Sequence, residues 1–102
     1  MLHSPKEWFP PCYTTESLLP ALKVALGVTT ALAEVARWLP DGGSNATIGA
    51  KLNKSEHTVR SQARQLSSAL NVKSREALVA RIVARLWAYA CFTGAWPPPG
   101  SG

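Results

Sequence analysis

The sequence has few acidic residues and few cysteines. Six Asp and Glu stand against eleven Lys and Arg, and Asp41 is the only Asp. There is no Ser/His/Asp set, no pair of carboxylates on one helix face and no phosphate-cradling Gly loop, so the sequence argues against an enzyme and predicts no cofactor. Cys12 and Cys91 lie far apart without CxxC or Cys/His spacing, which argues against a structural zinc site.

The sequence also lacks an apolar segment typical of export or membrane insertion. The first twelve residues have no apolar stretch after their charges, as a secretory signal would. The most apolar late segment, Val79–Trp96, is interrupted by Arg81 and Arg85 and is too short to span a bilayer. We therefore expect a soluble cytoplasmic protein. Its two cysteines are expected to be free thiols there, with a disulfide as the alternative.

The positive charge is concentrated in the second half of the chain. With 102 residues, 46% of them apolar, the chain can form one small domain with a core. Between residues 51 and 85 only Glu56 and Glu76 are acidic, whereas eight residues are basic: Lys51, Lys54, Arg60, Arg64, Lys73, Arg75, Arg81 and Arg85. This clustering favours a polyanionic partner over a charge that serves only solubility.

The N-terminal residues predict an irregular arm followed by a short helix. Residues 1–13 contain three prolines, together with Trp8 and Phe9, which either pack onto the domain or serve a partner. Thr14–Leu26 has helical spacing of apolar residues and is followed by Gly27. Because Pro20 is tolerated only in the first turn, we expect this helix to start late.

Start and stop signals predict four further helices. They are Thr30–Leu39 after an N-cap at Thr29, a helix through Leu52 capped by Ser44 or Asn45, Glu56–Leu70 after Ser55, and Arg75 to about Phe92 after Ser74. Asn53 and Lys54 form the turn between the middle two, and Asn71 is expected to be left-handed. The Pro- and Gly-rich tail, residues 93–102, is expected to be disordered.

The apolar spacing predicts which faces are buried. The fourth predicted helix directs Val59, Ala63, Leu66 and Leu70 to the core. The last helix has two apolar stripes: Leu78, Ile82, Leu86 and Tyr89 on one, and Val79, Val83, Trp87 and Ala90 on the other. The first stripe closes the core. The second is either extra core under the N-terminal arm or a self-association surface.

Two short helices joined by a tight turn, with Arg, Ser and Gln on the outer face of the second, predict a helix-turn-helix. Within this unit, Ser44-Asn45 with Ile48 is followed at fixed spacing by Ser55 with Thr58-Val59-Arg60. The pattern is extended by Glu34-Val35, Leu39, Gly42, Leu52, Leu70, Val72, Arg75-Glu76-Ala77 and Val79. These residues resemble the LuxR/GerE-type DNA-binding domain of bacterial transcription regulators.

The resemblance implies an all-α fold. It consists of a four-helix domain at residues 28–92, preceded by an arm and a short extra helix at residues 1–27 and followed by an irregular terminus.

The resemblance also implies that Glu56–Leu70 is the recognition helix, with Arg60, Ser61 and Arg64 facing DNA bases. Arg60 and Arg64 are i, i+4 neighbours opposite the core face, which agrees. Hydroxyl, amide and ammonium groups suited to the DNA backbone are those of Thr58, Gln62, Ser55, Lys51 and Lys54. Ser55 is alternatively only an N-cap, and the two lysines are alternatively ordinary surface residues.

The leading hypothesis is a sequence-specific transcription regulator that binds double-stranded DNA as a homodimer through Val79, Val83, Trp87 and Ala90. The 27 residues before the domain are too few for a sensor domain. Ala46 and Ala69 stand where the family often has Lys, Gln62 where it has His, Asn71 where it has Gly, and Lys54 where it has Ile or Val. These changes and the aromatic-rich ends motivate the alternative, a protein-interaction antagonist that pairs with a longer regulator or another partner.

Overall fold

The computed structural model describes residues 8–96, and within that range the chain forms five α-helices and no strand. The helices are α1 (Thr15–Leu26), α2 (Thr30–Trp38), α3 (Asn45–Leu52), α4 (Glu56–Ala69) and α5 (Arg75–Thr93). The all-α class and the presence of a helix ahead of the helix-turn-helix are therefore confirmed. Residues 1–7 and 97–102, which include most of the predicted arm and tail, lie outside the described range.

A Ser or Thr hydroxyl caps the start of each of these helices. The caps are Thr14, Thr29, Ser44, Ser55 and Ser74, and each accepts a hydrogen bond from the backbone N–H three residues later. Three of these caps were predicted as such, and of the two residues predicted as alternatives for the cap of α3, Ser44 is the cap and Asn45 is the first helical residue. Asn71, with φ of 59°, has the predicted left-handed conformation. The local sequence thus fixes where the helices begin, because each cap satisfies backbone donors that have no partner inside the helix.

The prediction that the first helix starts late is wrong. α1 begins at Thr15, so Pro20 lies in its second turn. Thr14 and Ser17 form a reciprocal capping box, in which the Thr14 N–H donates to Ser17 Oγ at 2.8 Å and the Ser17 N–H donates to Thr14 Oγ1 at 3.1 Å. This cap, together with the complete burial of Leu18 and Leu22, outweighs the one intrahelical hydrogen bond that Pro20 cannot make.

One hydrophobic core joins all five helices of the described range, with Ile48 contributed by α3. α1 packs on α2 and α5, and α2 packs on α4. The predicted first stripe of α5 faces this core, with Leu78, Ile82 and Leu86 buried. Since α1 contributes buried leucines, the core extends across the expected boundary between residues 27 and 28. On α4, Val59 and Leu66 are fully buried, but Ala63 is half-buried and not a core residue as predicted.

The second stripe of α5 is partly covered by the chain ends. Trp87 Nε1 donates to the carbonyl oxygen of Trp8 at 2.9 Å, and its ring packs edge-on against Trp96 at 5.8 Å. The chain after α5 folds back, with the N–H groups of residues 95 and 96 donating to the Ala90 carbonyl. Ala90 consequently has no exposed surface, which corrects its assignment to a dimer interface. Phe9 is also buried, so of the two predicted roles for Trp8 and Phe9, packing onto the domain is the one observed.

Cys12 and Cys91 are both free and exposed. Among residues 8–96, no single helix is long and apolar enough to cross a membrane. α1 and α2 satisfy the length and composition criteria only as a pair, which is bent by 112°.

The turn between α3 and α4 is held by a close backbone approach. The Lys54 N–H donates to the Gly49 carbonyl at 2.8 Å, and Asn53 takes a positive φ of 58°. A Cβ atom on Gly49 would lie 2.5 Å from the Lys54 carbonyl oxygen. The angle between α3 and α4 therefore depends on residue 49 being a glycine, which has no side chain.

We predict that Gly49→Ala lowers the free energy of unfolding by about 1–3 kcal/mol, since the added methyl group meets backbone rather than a flexible side chain. Urea unfolding measures the change. Gly43→Ala is the matched control, because a Cβ there has only ordinary contacts at 3.5–3.6 Å. Equal stability of the two variants would contradict the close approach.

Candidate nucleic-acid interface

The outer face of α4 carries the three residues predicted to face DNA bases. Val59 and Leu66 are buried against the core, so the opposite face of the helix projects into solvent. Arg60, Ser61 and Arg64 are all exposed on that face, as the spacing predicted. The structure therefore places two guanidinium groups one helical turn apart, with a hydroxyl beside them.

The two arginines differ in their local partners. Arg60 Nη2 lies 3.4 Å from Glu56 Oε2, and both side chains are 54% exposed. An ion pair this exposed is weak and exchanges readily for another anion. Within residues 8–96, Arg64 forms no hydrogen bond and no ion pair. Both guanidinium groups are thus available to an external acceptor.

A basic groove runs beside this face. Its volume is about 480 Å³, and it lies between α4, the start of α5 and the start of α3. Four of its lining residues are basic, none is acidic, and several others are small and polar: Arg60, Arg64, Lys73 and Arg75, with Asn45, Ser67, Ser68 and Ser74. A surface of this composition is suited to a polyanion.

Arg75 fixes one wall of the groove. Its Nη2 donates to the Gly43 carbonyl at 2.7 Å, and its Nη1 donates to Asn45 Oδ1 at 3.0 Å. These bonds tie the start of α5 to the loop before α3. Because both acceptors are neutral, the charge of Arg75 remains uncompensated at the groove.

Ser55 and Thr58 are predicted backbone contacts that bond to each other. The Ser55 hydroxyl donates to Thr58 Oγ1 at 2.9 Å and accepts the Thr58 N–H at 3.1 Å. Ser55 is the N-cap of α4, which was its alternative role. Since Thr58 Oγ1 is the acceptor in the first bond, its own hydroxyl proton remains free to donate outward.

The two lysines that were predicted to contact the DNA backbone point away from the groove. Lys51 Nζ lies 4.7 Å from the centre of the Trp38 ring, which Arg37 also contacts at 4.2 Å. Lys54 has only 21% of its side chain exposed, and its Nζ lies 3.1 Å from Gln62 Oε1 and 3.5 Å from Glu34 Oε1. Lys54 is therefore not an ordinary surface lysine, the alternative to its predicted contact with the DNA backbone, because its ammonium group bonds inward to α2 and α4.

Sequence reasoning missed the contribution of Asn45, Lys73 and Arg75 to the groove. Lys73 and Arg75 were counted in the basic cluster, and Asn45 was part of the motif. Their meeting with Arg60 and Arg64 depends on how α5 packs on α4, which local spacing does not reveal. In the described part of the chain, no group of three or more His, Cys, Asp or Glu residues is placed to hold a metal ion.

Comparison with protein-family models matches residues 33–82 to the family described as bacterial regulatory proteins, luxR family. The matched segment runs from within α2 into the first half of α5 and contains the whole α3–turn–α4 unit. The resemblance noted in the sequence is thereby confirmed. Neither the curated proteins nor the solved structures include a match to this chain.

Proposed function

Because the chain belongs to the LuxR family of bacterial regulatory proteins through its helix-turn-helix domain at residues 33–82, we propose that α4 is the helix that reads DNA sequence. The family is non-enzymatic, and its domain binds DNA, so the chain is a DNA-binding transcription regulator.

The proposed base-facing residues are Arg60, Ser61 and Arg64. The observation that carries this assignment is the position of two available arginines on the exposed face of α4, which is turned away from the buried Val59 and Leu66. A guanidinium group donates two hydrogen bonds to O6 and N7 of guanine in the major groove. Arg60 exchanges its weak contact with Glu56 for such an acceptor. Arg64 has no hydrogen bond or ion pair within residues 8–96 that would have to break first.

The proposed backbone contacts flank this face on both sides. The hydroxyl of Thr58 and the amide of Gln62 line one edge of α4, and Lys73 and Arg75 lie along the groove at the other. Phosphate contacts of this kind position the helix without reading sequence. We assign Ser55 to capping of α4 and Lys51 to its contact with the Trp38 ring, so neither residue is required for DNA binding.

The arginine assignment is tested with a duplex that the wild-type protein selects from a random library. Replacing both Arg60 and Arg64 by Ala should raise the Kd for that duplex, because each good base contact is worth about 1–3 kcal/mol. Lys23→Ala, which removes an exposed charge from α1, is the control and should bind as wild type. If the double variant keeps both the affinity for the duplex and the preference for its sequence, α4 does not read DNA through these arginines.

We further propose that the protein pairs through the outer face of α5. Between Glu76 and Cys91 this face carries no charge. Its members are Val83 and Trp87 from the predicted stripe, partly exposed Val79 at its edge, and exposed Ala80 and Ala84 between them. A twofold pair built there would present two α4 helices to half-sites about one helical turn of DNA apart.

Light scattering tests the pair. The wild type is expected at twice its 10.9 kDa chain mass. Ala80→Glu should give the monomer, because residue 80 is exposed in the single chain and the new charge is buried only in the pair. Ala88→Glu places the same charge on another side of α5 and should leave the mass unchanged. A wild type that is monomeric at all concentrations and on DNA would contradict the proposal.

One observation favours a second function, the pairing of this chain with another protein. Phe92 is 90% exposed and Val24 is 61% exposed, and both line a groove of about 390 Å³ between α1 and α5. Exposed aromatic residues beside an apolar groove are typical of protein interfaces. A wild-type protein that selects no duplex would favour this function over sequence-specific DNA binding.

A further inference from the structure

Lys54, Gln62 and Glu34 form a three-residue cluster at the edge of α4 that faces α2. Lys54 belongs to the helix-turn-helix turn, Gln62 to α4 and Glu34 to α2. The ammonium group of Lys54 lies 3.1 Å from Gln62 Oε1 and 3.5 Å from Glu34 Oε1. All three residues are only partly exposed, so the cluster sits at the margin of the proposed DNA-binding face.

The chemistry of lysine fixes the orientation of the Gln62 amide. An ammonium group has three donors and no acceptor, so the Gln62 atom that faces it must be the carbonyl oxygen. The amide nitrogen of Gln62, with its two donors, is then directed away from Lys54. Among residues 8–96 this nitrogen has no hydrogen-bond partner.

An amide held in this way is oriented to donate to DNA through its nitrogen, because its oxygen is turned towards Lys54. Reading adenine with glutamine requires both the amide oxygen and the amide nitrogen, which bond to N6 and N7. The oxygen of Gln62 is engaged by Lys54, whereas the nitrogen remains suited to a phosphate oxygen. Thr58 lies one helical turn earlier on the same edge and has a free hydroxyl proton, so two donors follow one another along this edge.

We propose that Glu34 and Lys54 are positioning residues that commit Gln62 to donating to a backbone phosphate. This rests on the proposed function, that α4 lies in the major groove. The charge of Lys54 is balanced by Glu34, so Lys54 adds little attraction to DNA itself. Lys54 acts on DNA through Gln62, and Gln62 contributes affinity but no base preference.

Gln62→Glu separates this role from a merely structural one. The new carboxylate still accepts the Lys54 hydrogen bond, so thermal stability should be unchanged or higher. It has lost both donors and meets the phosphate with a negative charge. The Kd for the duplex selected by the wild type should therefore rise on the order of tenfold or more, and by the same factor for non-specific duplex. Gln62→Glu binding as wild type would overturn the proposal.

Lys54 variants test the positioning. Lys54→Met keeps the apolar stem but frees Gln62, so affinity should fall and a further Gln62→Ala should then have little effect. The slope of log K against log salt should stay unchanged in Lys54→Met. Removing a lysine that itself binds phosphate would instead reduce the magnitude of this slope by about 0.9. Lys54→Arg retains donors for both oxygens and should restore affinity. A salt-dependence slope of reduced magnitude in Lys54→Met would overturn the assignment. So would affinity losses of Lys54→Met and Gln62→Ala that add fully in the double variant.

The same experiment distinguishes this inference from the function on which it rests. If the wild type selects no duplex, sequence-specific binding fails and the positioning role fails with it. If the wild type selects a duplex and loses it in Arg60→Ala/Arg64→Ala, but Gln62→Glu and Lys54→Met bind as wild type, only the positioning role is overturned.

Discussion

The close approach of the Gly49 backbone to the Lys54 carbonyl sets the geometry on which the rest of the DNA-binding unit depends. No side chain fits between them, and the turn closes through the Lys54 N–H and a left-handed Asn53. Once α3 is fixed against α4 in this way, burial of Val59 and Leu66 determines which face of α4 is exposed. The arginines at residues 60 and 64 owe their outward direction to this packing, since the contact of Arg60 with Glu56 is a weak, exposed ion pair.

The same turn supplies the side chain that orients the edge of α4. Lys54 stands where related domains have a buried Ile or Val, and a charge at that position would be unfavourable without partners. Here Glu34 balances the charge and Gln62 accepts a hydrogen bond, so α2, the turn and α4 are linked by one ammonium group. A departure from the family pattern that weakens the case for DNA binding when the sequence is considered alone thus becomes part of the proposed interface.

Much of the fold was predictable because its signals are local. Hydroxyl caps mark the helix starts, and apolar spacing identifies the buried face of α5. Features that depend on distant residues were not predictable in the same way. The second stripe of α5 is covered by Trp8, which lies on Trp87, and by residues 95 and 96, which lie on Ala90. The groove requires Lys73 and Arg75 to meet α4, and the Lys54 cluster joins three separate elements. For the site, the sequence indicated the outward arginines but not which flanking groups are already engaged.

The most direct test of the central claim is an NMR map of backbone amide shifts as the wild-type protein is titrated with its selected duplex. If α4 enters the major groove with its outer face towards the bases, the largest changes fall on residues 58–68 and on Lys73–Arg75, and α1 is unaffected. Largest changes on α1 and the second half of α5, with α4 unperturbed, would contradict the account.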